Sequence, residues 1–172
     1  MAVVSFRVRS YQKADFDTLW QMDQICFDPM LAYSRPELAV YMRRPGSFTL
    51  VAESTIGDAN KMLREQPRIL GFIVAEARRR TGHIVTIDVL PQSRRFGIGS
   101  ALLQAAEDRL RQAGAAVVEL ETAVDNAAAI KFYKRKEYFV EKTIPGYYSN
   151  QLDALVMSKD LVVIPVNENS RS

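Results

Sequence analysis

The stretch IDVLPQSRRFGIGS, residues 87–100, decides the fold of this 172-residue chain. It joins a β-branched apolar run that starts at His83, typical of a buried strand, to an amphipathic segment that continues to Ala113, typical of a helix. A strand that stops at a proline and enters a helix through two glycines leaves unpaired backbone N–H groups and the positive end of the helix dipole at the turn. Arg94 and Arg95 add positive charge there. The turn is therefore predicted to bind an anion such as a pyrophosphate.

The spacing of the two glycines excludes two familiar phosphate-binding motifs. A P-loop needs the pattern G-x-x-x-x-G-K-[ST], which is absent, and the dinucleotide fingerprint needs a third glycine that does not follow. On the turn alone, an ordinary strand-to-helix connection with glycines placed for tight packing stays open as the alternative.

Periodicity along the rest of the chain predicts the order β-α-α-β-β-β-α-β-α-β-β, an α/β domain with a mixed sheet. The predicted strands cover residues 4–9, 47–53, 68–77, 83–90, 116–122, 138–143 and 154–160, and the predicted helices cover residues 15–26, 35–44, 98–113 and 126–135. Ser34, followed three residues later by Glu37, predicts a capping box at the second helix. The polar stretch 54–67 is expected to form a short helix or a long excursion. Residues 1–164 are expected to form one domain, followed by a polar tail at 165–172.

Composition limits the function classes. With 48% hydrophobic and 25% charged residues, the chain is a folded domain and not a disordered one. Because Cys26 is the single cysteine, an internal disulfide is excluded. Because His83 is the single histidine, a metal site would lack its usual ligands, and no metal is expected. Both residues are interpreted as structural. The formal net charge of +3 is too small for a dedicated nucleic-acid binder. No apolar run reaches the ~18 residues of a membrane span, and Arg7 and Arg9 interrupt any signal peptide. We expect a cytoplasmic monomer or homodimer without nucleic-acid or membrane partners.

Three groups of residues together resemble a known family. The pattern Arg94-x-x-Gly97-x-Gly99 after the strand resembles motif A of the GNAT superfamily of acetyl-CoA-dependent N-acetyltransferases. Leu120-Glu121-Thr122, followed by residues 125–133, resembles the family's L-E-x…N-x-x-A-I-x-x-Y segment. Residues 146–148 and 153–157 resemble the closing Y-Y…D-A-L-x-M strand of the ribosomal-protein-alanine N-acetyltransferase branch. Several motifs in the right order are more specific than any one of them.

The resemblance implies a GNAT fold, with a mixed sheet of about seven strands, about four helices and a V-shaped opening that holds acetyl-CoA. It implies cofactor contacts from Ile87, Asp88, Val89, Arg94, Arg95, Phe96, Gly97, Ile98, Gly99, Ser100 and Asn126. Backbone groups of the first three would line the pantetheine arm, and the N–H of Val89 would donate to the thioester oxygen. Lys131, Lys134, Arg135 and Lys136 are interpreted as a solvated face of the last helix, although they could meet the nucleotide's phosphates.

The resemblance also implies the catalytic residues. Glu121 would be the general base that accepts a proton from the attacking amine, and Tyr133 would be the general acid that protonates the leaving thiolate. Each residue has an ordinary alternative. A glutamate at a strand end is commonly solvated, and a helical tyrosine commonly belongs to the core. Asn126 is also a plausible N-cap.

The implied acceptor is the α-amine of a protein or peptide, with a ribosomal protein as one candidate. Phe27, Tyr33, Tyr147 and Tyr148 match the walls of the acceptor entrance, and strand packing is the alternative for the two last tyrosines. Two other functions stay open, a small-amine acetyltransferase that recognises a polyamine, aminoglycoside or amino acid, and a non-catalytic acyl-CoA sensor. The chain departs from the branch at Glu137, where glycine is usual, and at Ala123, where arginine is usual.

Overall fold

A computed structural model describes residues 4–55, 68–149 and 151–161, and its elements follow the predicted order. In these residues the strands and α-helices are β1 (Phe6–Ser10), α1 (Phe16–Cys26), α2 (Arg35–Arg43), β2 (Ser47–Ser54), β3 (Ile69–Arg78), β4 (Thr81–Val89), α3 (Ile98–Gln112), β5 (Val117–Ala123), α4 (Ala127–Arg135), β6 (Phe139–Ile144) and β7 (Ala154–Asp160). The sequence placed every bound within two residues. Residues 56–67 of the predicted excursion and the predicted tail at 165–172 lie outside the described residues.

The seven strands form one mixed sheet in the order β1-β2-β3-β4-β5-β7-β6, which confirms the predicted fold class. The first four strands make an antiparallel meander, and β4 and β5 are the parallel pair, joined by the α3 crossover. The strands β5, β7 and β6 continue the sheet in antiparallel pairing. In the part of the chain that the structure covers, no helix is long and apolar enough to cross a membrane.

A register shift in β4 opens the sheet. On β3, Val74 pairs with Thr86 and Ala75 pairs with Ile84, so Val85 is an extra residue without a partner of its own. Such bulges bend a strand and increase its local twist. The pairing of β4 with β5 stops at Ile84, although β4 continues to Val89 and β5 to Ala123. The two strands therefore diverge beyond Ile84 and form the predicted V-shaped opening.

Hydrophobic clusters cover both faces of the sheet. One cluster packs the stripe Leu102, Leu103, Ala106 and Leu110 of α3 against the sheet. The other packs Leu19 and Met22 of α1 and Leu38 of α2 against the opposite face. The capping box at α2 is confirmed, because Glu37 N–H donates to Ser34 Oγ at 3.4 Å while the Glu37 carboxylate accepts from Ser34 N–H at 2.8 Å. The helix α3 therefore covers one face of the sheet, and α1 and α2 cover the other.

The turn from α4 into β6 contains the Glu137 departure noted in the sequence. Glu137 adopts φ +70°, in the left-handed region that glycine would occupy without steric cost. The N–H of Tyr138 donates to the carbonyl of Tyr133 at 3.0 Å, so the helix ends in a tight turn despite the side chain.

Replacing Glu137 by glycine is expected to stabilise the protein. The left-handed conformation costs a non-glycine residue about 1 kcal/mol, and part of this gain is offset by the greater freedom of glycine in the unfolded chain. Denaturant unfolding should show a gain of about 0.5 kcal/mol for Glu137→Gly. The control Lys136→Gly, at φ −92°, should lose stability. Equal losses in both variants would contradict the assignment of strain to Glu137.

Candidate active site

A cavity of about 810 Å³ occupies the opening between β4 and β5. Its size suits a small-molecule ligand, for which pockets of roughly 300–1,000 Å³ are usual. Most of the residues predicted from the sequence line it, namely Phe27, Tyr33, Ile87, Asp88, Val89, Arg94, Arg95, Gly97, Gly99, Ser100, Glu121, Asn126, Tyr133 and Tyr148. Three predicted residues are not among its lining. The Phe96 side chain is exposed, Ile98 is buried in the core, and Tyr147 is 47% exposed beyond the wall.

The glycine-arginine turn forms one end of the cavity. Gly97 precedes the first turn of α3 with φ +83°, which a side chain would disfavour, and the first N–H groups of α3 have no partners within the helix. Arg94 Nε donates to the carbonyl of Val89 at 3.0 Å, which ties the turn to the end of β4. A Cβ on Gly99 would meet the Phe132 ring at 3.5 Å, so α3 and α4 approach closely here. These features provide positive charge and free N–H donors for an anionic ligand.

The last residues of β4 present backbone groups to the opening. Residues of an antiparallel ladder alternate between hydrogen-bonded and non-bonded pairs. Leu90 N–H donates to Leu70 O at 3.0 Å, and the neighbouring pair Gly71–Val89 is therefore non-bonded. The N–H of Val89 consequently points away from β3, toward the side where β5 has diverged. By the same alternation, the backbone N–H and C=O of Ile87 point to that side.

Asp88 turns its side chain into the protein. The carboxyl group is 1% exposed and accepts a hydrogen bond from Thr86 Oγ1 at 2.7 Å. Burial is the main reason that the pKa of Asp88 lies well above its ordinary value, and the nearby Asp23 raises it further. By the same alternation, Phe72 and Asp88 form a hydrogen-bonded pair, so the backbone N–H and C=O of Asp88 face β3 and are not directed at the opening.

Glu121 on β5 and His83 on β4 form a pair at the foot of the opening. His83 Nε2 lies 2.6 Å from Glu121 Oε2, and both side chains are largely enclosed. A carboxylate can only accept a hydrogen bond, so Nε2 carries the shared hydrogen when Glu121 is ionised. The sequence predicts a structural role for His83, whereas the structure brings it into the candidate site. Only the register of β4 on β5 reveals this neighbour, because His83 and Glu121 are 38 residues apart.

Tyr133 belongs to both the core and the cavity wall. Its ring packs against Phe132 and Tyr138, with centroids 5.2 Å and 5.7 Å away. Burial raises the pKa of Tyr133 above its ordinary value, which keeps the phenol protonated. Asn126 is both an N-cap and a cavity residue, since its Oδ1 accepts from Ala129 N–H at 3.1 Å and the residue lines the cavity.

Aromatic residues from two loops line the side of the cavity that faces α1 and α2. Tyr33 lies on the wall, and its hydroxyl donates to the carbonyl of the bulge residue Val85 at 3.4 Å. Tyr148 lines the cavity, and the ring of Tyr147 packs edge-on against the ring of Tyr148, with ring centroids 5.0 Å apart. Both tyrosines lie in the loop between β6 and β7, so the alternative of packing within a strand is wrong for this pair. Ser149 Oγ donates to the Met30 carbonyl at 2.9 Å and joins the two loops.

Two of the four basic residues at the end of α4 line the cavity, whereas the sequence favours a solvated face for all four and leaves a phosphate contact open. Lys131 and Arg135 are four residues apart, on one face of the helix, and both line the wall. Lys134 and Lys136 are not among the lining residues. None of the four makes an ion pair with another described residue.

Cys26 lies at the other edge of the cavity. Its Sγ donates to the Val89 carbonyl at 3.4 Å, and burial raises the pKa of the thiol to about 11. A thiol with this pKa is a poor nucleophile at neutral pH. Among the described residues, no group of three or more His, Cys, Asp or Glu side chains could hold a metal ion.

The chain belongs to the acetyltransferase (GNAT) family, whose sequence model matches residues 16–138. An N-alpha-acetyltransferase from Sulfurisphaera tokodaii is 41% identical over 83 residues, which cover 48% of this chain and only 50% of that protein. The catalytic subunit of the N-terminal acetyltransferase B complex from Schizosaccharomyces pombe is 30% identical over 77% of this chain and 72% of its own. The crystal structure of the ribosomal-protein-S18-alanine N-acetyltransferase from Escherichia coli shares the fold, with a TM-score of 0.76 and 20% identity over 97% of this chain and 99% of that one.

Alkylation of Cys26 is expected to be slow at pH 8 and to speed up with pH. With a pKa of about 11, about 0.1% of the thiol is ionised at pH 8, against about a quarter for an ordinary cysteine. The rate with iodoacetamide should rise about tenfold per pH unit between pH 8 and pH 10, as measured by mass spectrometry of the native protein. A plateau below pH 9 would contradict the burial of this thiol, and Cys26→Ser provides the blank.

Proposed function

We propose that this protein transfers the acetyl group of acetyl-CoA to the α-amine of a protein or peptide. One observation carries the proposal: the opening between β4 and β5 has an anion-binding turn at one end and the Glu121–His83 pair at its foot. The named sequence relatives support the choice of acceptor, because both are described as acetyltransferases of N-terminal or α-amino groups.

Acetyl-CoA supplies the activated thioester, and the residues around the opening fit its parts. The turn at Arg94–Ser100 would hold the pyrophosphate through N–H groups and the two arginines, as helix N-termini hold phosphates elsewhere. The backbone of Ile87 and Val89 would pair with the amide groups of the pantetheine arm. The N–H of Val89 would donate to the carbonyl oxygen of the thioester as negative charge develops there.

The Glu121–His83 pair would handle the proton of the attacking amine. At pH 7 an α-amine, with a pKa of ~8, is roughly a tenth neutral, whereas lysine, with a pKa of ~10.4, is less than a thousandth neutral. A carboxylate is therefore a sufficient acceptor for an N-terminal ammonium. The hydrogen bond from His83 Nε2 would hold the Glu121 carboxylate in place. As the new C–N bond forms and the C–S bond breaks, Tyr133 would donate its proton to the sulfur.

The small-amine alternative has less support. A pocket for a polyamine needs exposed carboxylates on the acceptor side, and Asp23 and Asp28 are the acidic residues available near the first helices. Asp23 is fully buried and accepts the N–H of Tyr33 at 2.7 Å, and Asp28 Oδ1 accepts the N–H of Met30 at 2.9 Å. Neither residue lines the cavity.

Glu121→Gln is expected to lower kcat by about 100-fold or more, because the amide cannot accept the proton. His83→Gln, whose amide nitrogen can replace Nε2 as a donor, should retain more activity than His83→Ala. The measurement is thiol release from acetyl-CoA with peptides that begin with Ala, Ser or Met. The binding of CoA, measured by calorimetry, should stay unchanged in each variant.

The acceptor controls decide between the functions. The same peptides with a blocked N-terminus and an internal lysine should not react, and neither should spermidine. Turnover of spermidine in place of the peptides would overturn the proposal. Tight binding of acetyl-CoA without turnover of any acceptor would favour the sensor function.

The positions of Lys131 and Arg135 predict how CoA is distinguished from its dephosphorylated form. Their unpaired charges would meet the ribose 3′-phosphate, so the double variant Lys131→Gln, Arg135→Gln should weaken CoA binding by about fivefold at low salt. The binding of dephospho-CoA, which lacks this phosphate, should change by less than about twofold. Lys134→Gln, on the face that does not line the cavity, is the matched control. An equal loss for both ligands would contradict the assignment.

A further inference from the structure

Two arginines lie beside the Glu121–His83 pair and have no part in the proposed chemistry. Glu76 on β3 is 7% exposed and sits directly opposite His83 in the β3–β4 register, so the two side chains share one face of the sheet. Arg78 Nη2 lies 2.7 Å from Glu76 Oε2, and Arg44 Nη1 lies 4.0 Å from the same oxygen. The buried carboxylate thus draws both guanidinium groups to the foot of the opening.

Glu76 neutralises only part of the positive charge of Arg44 and Arg78. The hydrogen bond from Arg78 is the main reason that the pKa of Glu76 is lowered, so this carboxylate is ionised and offsets one of the two charges. The side chains of Arg44 and Arg78 are 38% and 49% exposed, whereas that of Glu76 is 10% exposed. Each guanidinium carries five N–H donors, which is more than the contacts with Glu76 use.

A tyrosine surface connects these arginines with the cavity. The guanidinium of Arg44 lies 4.2 Å from the ring centroid of Tyr41, which restricts its position, and Tyr41 packs against Tyr33 with centroids 5.1 Å apart. Tyr33 itself lines the cavity. Arg78 is close enough to Glu121 and Tyr147 to influence both electrostatically. Arg44, Arg78 and Tyr41 therefore form a continuous rim on the acceptor side, which we call the arginine rim.

The distance along β4 shows which part of an acceptor could reach the arginine rim. Arg78 pairs with Thr81, which lies eight residues before Val89, or roughly 26 Å at ~3.3 Å per residue. Glu121 lies between these two ends, and an extended polypeptide advances by the same ~3.3 Å per residue. If the acceptor's amine lies near Glu121, its extended chain reaches the arginine rim several residues later. With the reach of an arginine side chain included, the rim contacts about the third to sixth residues of the acceptor.

We infer that Arg44 and Arg78 bind carboxylate side chains at about the third to sixth residues of the acceptor polypeptide. The inference rests on the proposed function and narrows its substrate class to proteins whose N-terminal segments are acidic beyond the first two residues. Arginine suits this task because its planar donors match both oxygens of a carboxylate. The location next to the catalytic pair and the tyrosines favours a polypeptide over a nucleic acid.

The test uses three peptides that share the first two residues, Ser-Ala, and the same tail. Residues three to six are Glu, Gln or Lys. At low salt the KM of the wild-type protein should be about fivefold lower for the glutamate peptide than for the glutamine peptide, and highest for the lysine peptide. The preference should shrink at 0.5 M NaCl, because salt screens exposed charges.

The variants separate the rim from general electrostatics. In Arg44→Gln, which leaves the closer Arg78–Glu76 contact intact, the KM ratio of the glutamine to the glutamate peptide should fall toward one. For the second arginine, Arg78→Gln is combined with Glu76→Gln so that no unpaired carboxylate is buried. Arg111→Gln on α3, which removes an exposed pair with Asp108, is the matched control and should keep the wild-type ratio. Thermal unfolding and CoA binding check that each variant is folded.

Each outcome has one meaning. Equal KM values for the three peptides, with free N-termini still acetylated, would overturn this inference and leave the proposed function intact. Acetylation of spermidine but of no peptide would overturn both. A salt-sensitive complex with an RNA oligonucleotide that is lost in Arg44→Gln, without any charge preference among the peptides, would assign the rim to a nucleic acid instead.

Discussion

The extra residue Val85 in β4 is the constraint on which the site depends. It bends the strand after Ile84, ends the pairing with β5, and leaves the last residues of β4 with one side free of a neighbouring strand. A fully paired β4 would use the backbone groups of Ile87 and Val89 within the sheet. Arg94 and Cys26 contact the Val89 carbonyl, and the N–H groups of Ile87 and Val89 have no strand partner on this side. Buried N–H groups need a ligand or water as acceptor, which ties the irregularity to function.

Most of the fold could be predicted because its signals are local. Each signal predicts the structure of the segment in which it lies. Examples are the alternating or continuous apolar runs of the strands, the Ser34 capping box and the glycines around α3. The glutamate in place of glycine at residue 137 was visible as a conflict, and the structure resolves it by holding that residue at φ +70°. The pairing of strands could be inferred only in outline, because the bulge at Val85 leaves no composition signal.

The candidate site was predictable where it lies within one motif and not where two segments meet. Glu121, Tyr133 and the turn residues follow from their own stretches of sequence, and their roles remain proposals. A role for His83 in the site could not be predicted, because it depends on the contact with Glu121 on the neighbouring strand. The cluster beside it is similar: Glu76 and Arg78 are neighbours on β3, but Arg44 joins them from the end of α2, and only the β3–β4 register places Glu76 opposite His83. Contacts between distant segments depend on tertiary structure, which a single sequence does not record.

The carbonyl of Val89 receives hydrogen bonds from both halves of the site, from Arg94 in the turn and from Cys26 at the end of α1. The peptide group between Val89 and Leu90, which follows the proposed thioester donor Val89 N–H, is thus contacted by one segment from the cofactor side and one from the acceptor side. Movement of either segment displaces an atom that the other one holds. Thermodynamic linkage requires that the effects of the two substrates on each other's binding are equal. If bound acetyl-CoA changes the affinity for the acceptor by some factor, the bound acceptor changes the affinity for acetyl-CoA by the same factor.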